Sequence, residues 1–116
     1  MTVFVIHKPI QREHGNSYDV SSAVEHGAIK YIFEDGFIPY RDPERAEQIA
    51  WAKLKDFTAN DYLLWVGGDP AGMMIAAMVA GFVTDGNVSF LRWDRTRDKD
   101  SREQTGGRYV PVKLSV

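Results

Sequence analysis

The chain has 116 residues, the length of one ordinary domain built on a single hydrophobic core. Hydrophobic residues make up 44% and charged residues 26%, a soluble globular balance that excludes a disordered or fibrous chain. The net charge of -2 excludes a surface that is DNA-binding throughout, and the lack of cysteine excludes disulfides, thiolate metal sites and a cysteine nucleophile, in keeping with a reducing cytoplasm.

In "VFVIHKP" an apolar run of four is ended by His7, Lys8 and Pro9. It is too short and wrongly flanked for a signal peptide, so an intracellular, unprocessed chain is expected. The same run is rich in β-branched and aromatic residues and predicts a first strand over residues 2–8. Residues 10–27, polar and broken by glycine, read as a long loop with one helical turn from Asp19 onward, capped by Asp19 or Ser21.

"AIKYIFED" predicts a second strand with Ile29, Tyr31 and Phe33 on one side and Lys30, Ile32 and Glu34 on the other. "YRDPERAEQIAWAKLKDF" carries the clearest helix, with Asp42 as N-cap and Pro43 at the first helical position. Ala46, Ile49, Ala50, Leu54 and Phe57 form its apolar stripe, interrupted only by Lys53, while Glu44, Arg45, Glu47, Lys55 and Asp56 take the wet side.

"YLLWVG" predicts a third strand, buried on both faces. Asp69-Pro70 then repeats the cap pattern and opens a second helix, "AGMMIAAMVAGFV", apolar on every side. Residues 63–83 carry a single charge, Asp69, but Gly67, Gly68 and Pro70 interrupt the run. The remaining helix of about 13 residues, roughly 20 Å, is too short to span a bilayer. After the turn "TDGN", "VSFLRWD" predicts a fourth strand parallel to the third, and "RYVPVKLSV" a last strand pairing back with it. Residues 96–107 read as a mobile charged hairpin loop. The expectation is a single α/β (or α+β) domain over residues 1–116, with a mixed sheet of about five strands and two main helices in the order β-β-α-β-α-β-β.

Parallel strands would bring the carboxyl ends of the first, third and fourth together, and with them His7, Lys8, Gly67, Gly68, Asp69, Arg92 and Arg95. Backbone amides, a helix dipole and two or three cations would suit a nucleotide phosphate. However, "GGDPAG" matches neither the P-loop nor the dinucleotide spacing, and an Asp69 cap would compete with an anion for the same amides. A packing joint is the stronger reading.

His7, His14 and His26 are too scattered for a metal motif, no catalytic serine motif is present, and the Glu34-Asp35 pair reads as solvated. No catalytic residue, cofactor or metal is therefore assigned. Between Arg92 and Arg108 lie six basic residues (Arg92, Arg95, Arg97, Lys99, Arg102, Arg108) and four acidic ones (Asp94, Asp98, Asp100, Glu103), a net of +2. Flanked by Trp93 and Tyr109, this finger suits single-stranded nucleic acid, although interleaved acids favour a solvated loop. The all-apolar helix suggests a homodimer interface: Met73, Met74 and Met78 would fill a partner's irregular surface, and small residues, among them Gly72, Ala77 and Gly81, would allow close approach.

"DYLLWVGGDPAG", "VSFLRWDR" and "GRYVPVKL" together resemble a group of small bacteriophage proteins with no activity assigned to them. In that group D-Y-L-L-x-V-G-D-P precedes an alanine-rich helix, an L-x-W-D-R strand and a closing R-Y-x-P-V strand. The resemblance covers the C-terminal half, with a fainter echo in "YDVSSAVEHG" and "GFIP". The sequence departs from it by the extra glycine at Gly67-Gly68 and by the charged insert before Arg108. The resemblance implies phage genes expressed in a bacterial host, and no chemistry. The leading expectation is a dimeric phage accessory protein acting by contact with a host or phage macromolecule. A nucleotide-handling protein is the alternative, and single-strand binding a weaker one.

Overall fold

A computed structural model describes residues 1–8, 21–34, 36–97 and 104–116, without the side chains of residues 21, 95–97 and 104–106. Five strands form one sheet: β1 (Thr2–His7), β2 (Ala28–Phe33), β3 (Tyr62–Leu64), β4 (Asn87–Arg97) and β5 (Gln104–Ser115). Two helices, α1 (Pro43–Leu54) and α2 (Pro70–Val83), connect β2 to β3 and β3 to β4. Short 3-10 turns at Ser21–His26 and Pro39–Arg41 complete the described elements. The expected order β-β-α-β-α-β-β and mixed five-stranded sheet are those observed.

The strand order is β2-β1-β3-β4-β5, parallel except for the β4–β5 pair. The chain moves one way from β1 to β2 and the other way from β2 to β3 and β4. Because crossovers are right-handed, that reversal sends the connections to opposite faces. Both helices cover one face, where Phe4, Ile6, Ile32, Phe33, Ala46, Ala50, Leu54, Leu63, Ala76 and Val79 form the larger core. The turn at Ser21–His26 sits on the other face, with Ala23 buried against Val3, Val5, Leu64, Leu91 and Tyr109. Strand β3 supplies Leu63 to one core and Leu64 to the other, which is why its sequence is apolar without alternation.

Both helix starts follow their sequence signals. The Asp42 carboxylate accepts from the Arg45 amide at 3.2 Å, that of Asp69 from the Ala71 amide at 3.0 Å, and proline opens each helix. Where the inner strands β1 and β3 begin, buried Asp61 accepts from the amide of Thr2 (2.8 Å) and from the amide and hydroxyl of Thr58 (2.9 and 3.1 Å). A single carboxylate thus fixes the start of β1 to the turn before β3.

Three local expectations change. Phe33 lies in the helix-side core beside Ile32, whereas Ile29 and Tyr31 pack on the opposite face. The ladder keeps its register from Val5↔Tyr31 to His7↔Phe33, and Phe33 departs by packing its ring against Phe37, His7 and the start of α2. Residues 96–97 and 104–107, expected in the hairpin loop, belong to β4 and β5, where Arg97 pairs with Gln104. The rest of that loop, and residues 10–20 of the expected long loop, lie outside the described residues. On α2, the buried positions are Gly72, Ala76, Val79 and Ala80. The small residues Gly72, Ala76 and Ala80 therefore approach the protein's own sheet, not a partner's backbone.

Candidate functional site

The strand order reverses between β1 and β3, and in open α/β sheets ligands bind at the carboxyl ends of such a pair. His7 and Lys8 end β1 there, while Gly67, Gly68 and Asp69 lead from β3 into α2. Gly67 (φ 111°) and Gly68 (φ 95°) both occupy the left-handed region, which makes this turn a glycine turn. The structure therefore brings five of the seven proposed ligand residues to one corner. Arg92 follows Leu91, the β4 residue paired with Leu64, and stands one strand away. Arg95 pairs with Gly107 three residues further along the hairpin, a rise of roughly 10 Å.

The corner is already filled by its own groups. The two oxygens of Asp69 accept from the amides of Ala71 (3.0 Å) and Tyr40 (2.8 Å), and its carbonyl accepts from the Gly72 amide at 3.1 Å. An incoming anion would meet a carboxylate at amides that already have an acceptor, and the backbone of residue 40 is pinned to the start of α2. Tyr40 was not legible as a partner, because a backbone amide leaves no signature in sequence.

His7 packs its ring against the same turn. A Cβ at Gly68 would lie 3.3 Å from its Cδ2, one at Gly72 would lie 2.9 Å from its Nε2, and the Phe33 ring centroid is 5.4 Å away. The Nε2 atom is buried and finds no hydrogen-bond partner among the described residues. Burial holds the His7 pKa below its ordinary 6.5, and the negative charge of Asp69 opposes that shift.

A dependence of stability on pH follows. Above 6.5 His7 is neutral whether folded or unfolded, and its contribution is complete. Below 6.5 the unfolded chain takes up a proton that the folded chain resists, so stability falls until the pH passes the lowered folded value. Urea midpoints measured from pH 8 to 5 should show this loss in the wild type and less of it in His7→Leu. Parallel profiles would show that His7 plays no part.

The other candidates are placed differently. His26 donates a ring N–H to the Tyr109 carbonyl (3.0 Å), lies 3.3 Å from Glu25 and meets the Tyr62 ring edge-on, tying the turn at Ser21–His26 to β5. His14 lies outside the described residues. Among the described residues no group of three His, Asp or Glu side chains could hold a metal ion, and no helix is long and apolar enough to cross a membrane. In the hairpin, Trp93 meets Tyr109 edge-on at 4.8 Å and covers Gly107. Tyr109 is buried in the smaller core, which leaves Trp93 as the half-exposed ring of the pair.

On the outer side of the helix layer, Met74 (73% exposed), Met78 (59%) and Phe82 (76%) follow one another at four-residue spacing along α2. Trp51 of α1, 42% exposed, meets Phe82 edge-on at 5.3 Å. Met73 and Ala77, proposed for the same surface, instead pack partly buried against the core. Trp51 and Phe82 were missed. Their available signal was a tryptophan between Glu47 and Lys55 on the wet side of α1, and a phenylalanine continuing the series from Met74 and Met78.

No curated protein and no solved structure gives a significant match to this chain. One family description matches almost its whole length, residues 1–114, and carries the description Phage Pam3 gp32-like protein. Because that span takes in both capped helices and all five strands but for the last residue of β5, the chain belongs to the Phage Pam3 gp32-like family.

Proposed function

We infer that this phage protein is an accessory factor that acts by contact with a host or phage protein and carries out no turnover. The observation that supports this reading is the apolar face of Trp51, Met74, Met78 and Phe82. Among the described residues, neither core cluster includes these four side chains. A polar residue at Met74, Met78 or Phe82 is expected to leave the core unchanged, so what their apolar character provides is attraction to another apolar surface. The test compares affinity capture from infected host cells by the wild type and by Phe82→Glu. The captured proteins should be depleted at least tenfold by the variant while its melting temperature stays the same. Equal capture by both, or turnover of any nucleotide, would overturn the reading.

A second reading, a phosphate-bearing ligand at the β1/β3 corner, draws support from the reversal of strand order and from the nearby cations Lys8 and Arg92. It predicts that a nucleotide at a hundred times its Kd stabilises the fold by about 2.7 kcal/mol. Lys8→Ala or Arg92→Ala should remove that shift. A flat thermal profile across mono-, di- and cyclic nucleotides is the result expected from the contact reading.

A further inference from the structure

We propose that the occupant of the α2 face is a second copy of this chain, docked antiparallel about a two-fold axis at Met78. The proposal rests on the contact reading and names the partner that the face meets.

Three observations lead to a second copy. Along Pro70–Val83, α2 carries no charged residue and no polar side chain, so two such faces approach without like-charge repulsion and without burying an unpaired polar group. The face is also self-complementary. Met74 lies four residues before Met78 and Phe82 four residues after it, with Trp51 set edge-on against Phe82. Reversing one copy places the partner's Met74 against the Trp51–Phe82 corner, a sulfur-on-aromatic contact, and does the same at the other end. Met78 meets its own equivalent in the middle. This is the reciprocal pattern of a two-fold interface.

The third observation is area. From the exposures of these four side chains, the face offers roughly 500 Å² of apolar surface per copy, or about 1,000 Å² in the pair. That is the lower bound of a specific interface and sets the expected behaviour: a reversible dimer that dissociates on dilution.

The absence of cysteine makes the test direct. In Met78→Cys the only thiol in each chain lies on the axis, and mild oxidation should convert most of the protein to a disulfide-linked dimer. Lys113→Cys, on the exposed edge of the sheet, should cross-link at least tenfold less. Sedimentation equilibrium of the wild type should show the average mass rising toward twice the monomer with concentration. Phe82→Glu should stay monomeric over the same range with an unchanged circular dichroism spectrum. A wild type that remains monomeric throughout, equal cross-linking at residues 78 and 113, or a dimer that survives Phe82→Glu would each overturn the proposal. A monomer would leave the contact reading standing, since that reading is decided separately by capture from infected cells.

Discussion

Phe33→Ala is expected to destabilise the fold by about 3–5 kcal/mol, the largest effect of any substitution considered. The ring is fully buried, stacks on Phe37 at 5.6 Å and lies 5.4 Å from His7, and its Cε2 sits 3.3 Å from where a Cβ on Gly72 would be. It is the point at which β2, the loop after it, the end of β1 and the start of α2 meet. These elements are held by different parts of the chain, and they cannot all close on a cavity of that size. A domain of this length has a total stability of roughly 6–17 kcal/mol, so the loss is a large fraction of the whole. Urea unfolding should show the midpoint falling with little change in slope. Met74→Ala, equally apolar but exposed, should stay within about 0.5 kcal/mol of the wild type. Similar midpoints for the two variants would mean that the core has been wrongly located.

Gly27→Ala should cost about 2–5 kcal/mol, from left-handed strain and a backbone collision together. At φ 150° the added Cβ would stand 2.6 Å from the Met1 carbonyl oxygen and 2.8 Å from its carbon. Neither atom has room to retreat. The Met1 carbonyl accepts from the Ala28 amide at 3.3 Å, and the next amide, that of Thr2, is held by Asp61 at 2.8 Å. Gly36→Ala provides the control. Its φ of 82° is also in the left-handed region, but nothing lies within 4 Å of the added methyl, so only the strain of about 1–2 kcal/mol remains. The difference between the two melting curves isolates the collision. Equal losses would show that the start of β1 yields more easily than its hydrogen bonds suggest.

Much of this fold was legible because its signals are local. Asp42-Pro43 and Asp69-Pro70 fixed both helix starts, and the unalternating "YLL" of β3 announced burial on both faces. What stayed hidden depends on contacts that residue order does not encode. Phe33 departs from its alternation because, at the end of β2, its ring is drawn into contact with Phe37, His7 and the start of α2. The phase of α2 could not be read either, since periodicity needs a polar face as reference and this helix has none. Side-chain size orients it instead. Gly72 and Ala76 turn inward because Ile6 and Phe33 come close to α2, and the bulky Met74, Met78 and Phe82 are left outside. At the candidate site, the glycine turn and the Asp69 cap were foreseeable, but the amide of residue 40 and the unpartnered nitrogen of His7 were not.

The central position of β1 has a consequence during synthesis. Val3 pairs with Ile29 on one side and with Tyr62 on the other, so β1 has no complete site until some sixty more residues have left the ribosome. At ordinary elongation rates of 5–20 residues per second, Val3 to Val5 would remain without their second neighbour for about 3–12 s. During that interval the run is a short, uncharged, β-prone segment of the kind that chaperones bind and nascent chains aggregate through. The hairpin of β4 and β5, by contrast, finds its partner within its own length. Growth temperature and chaperone supply should therefore govern the soluble yield of this protein more than the stability of its finished fold.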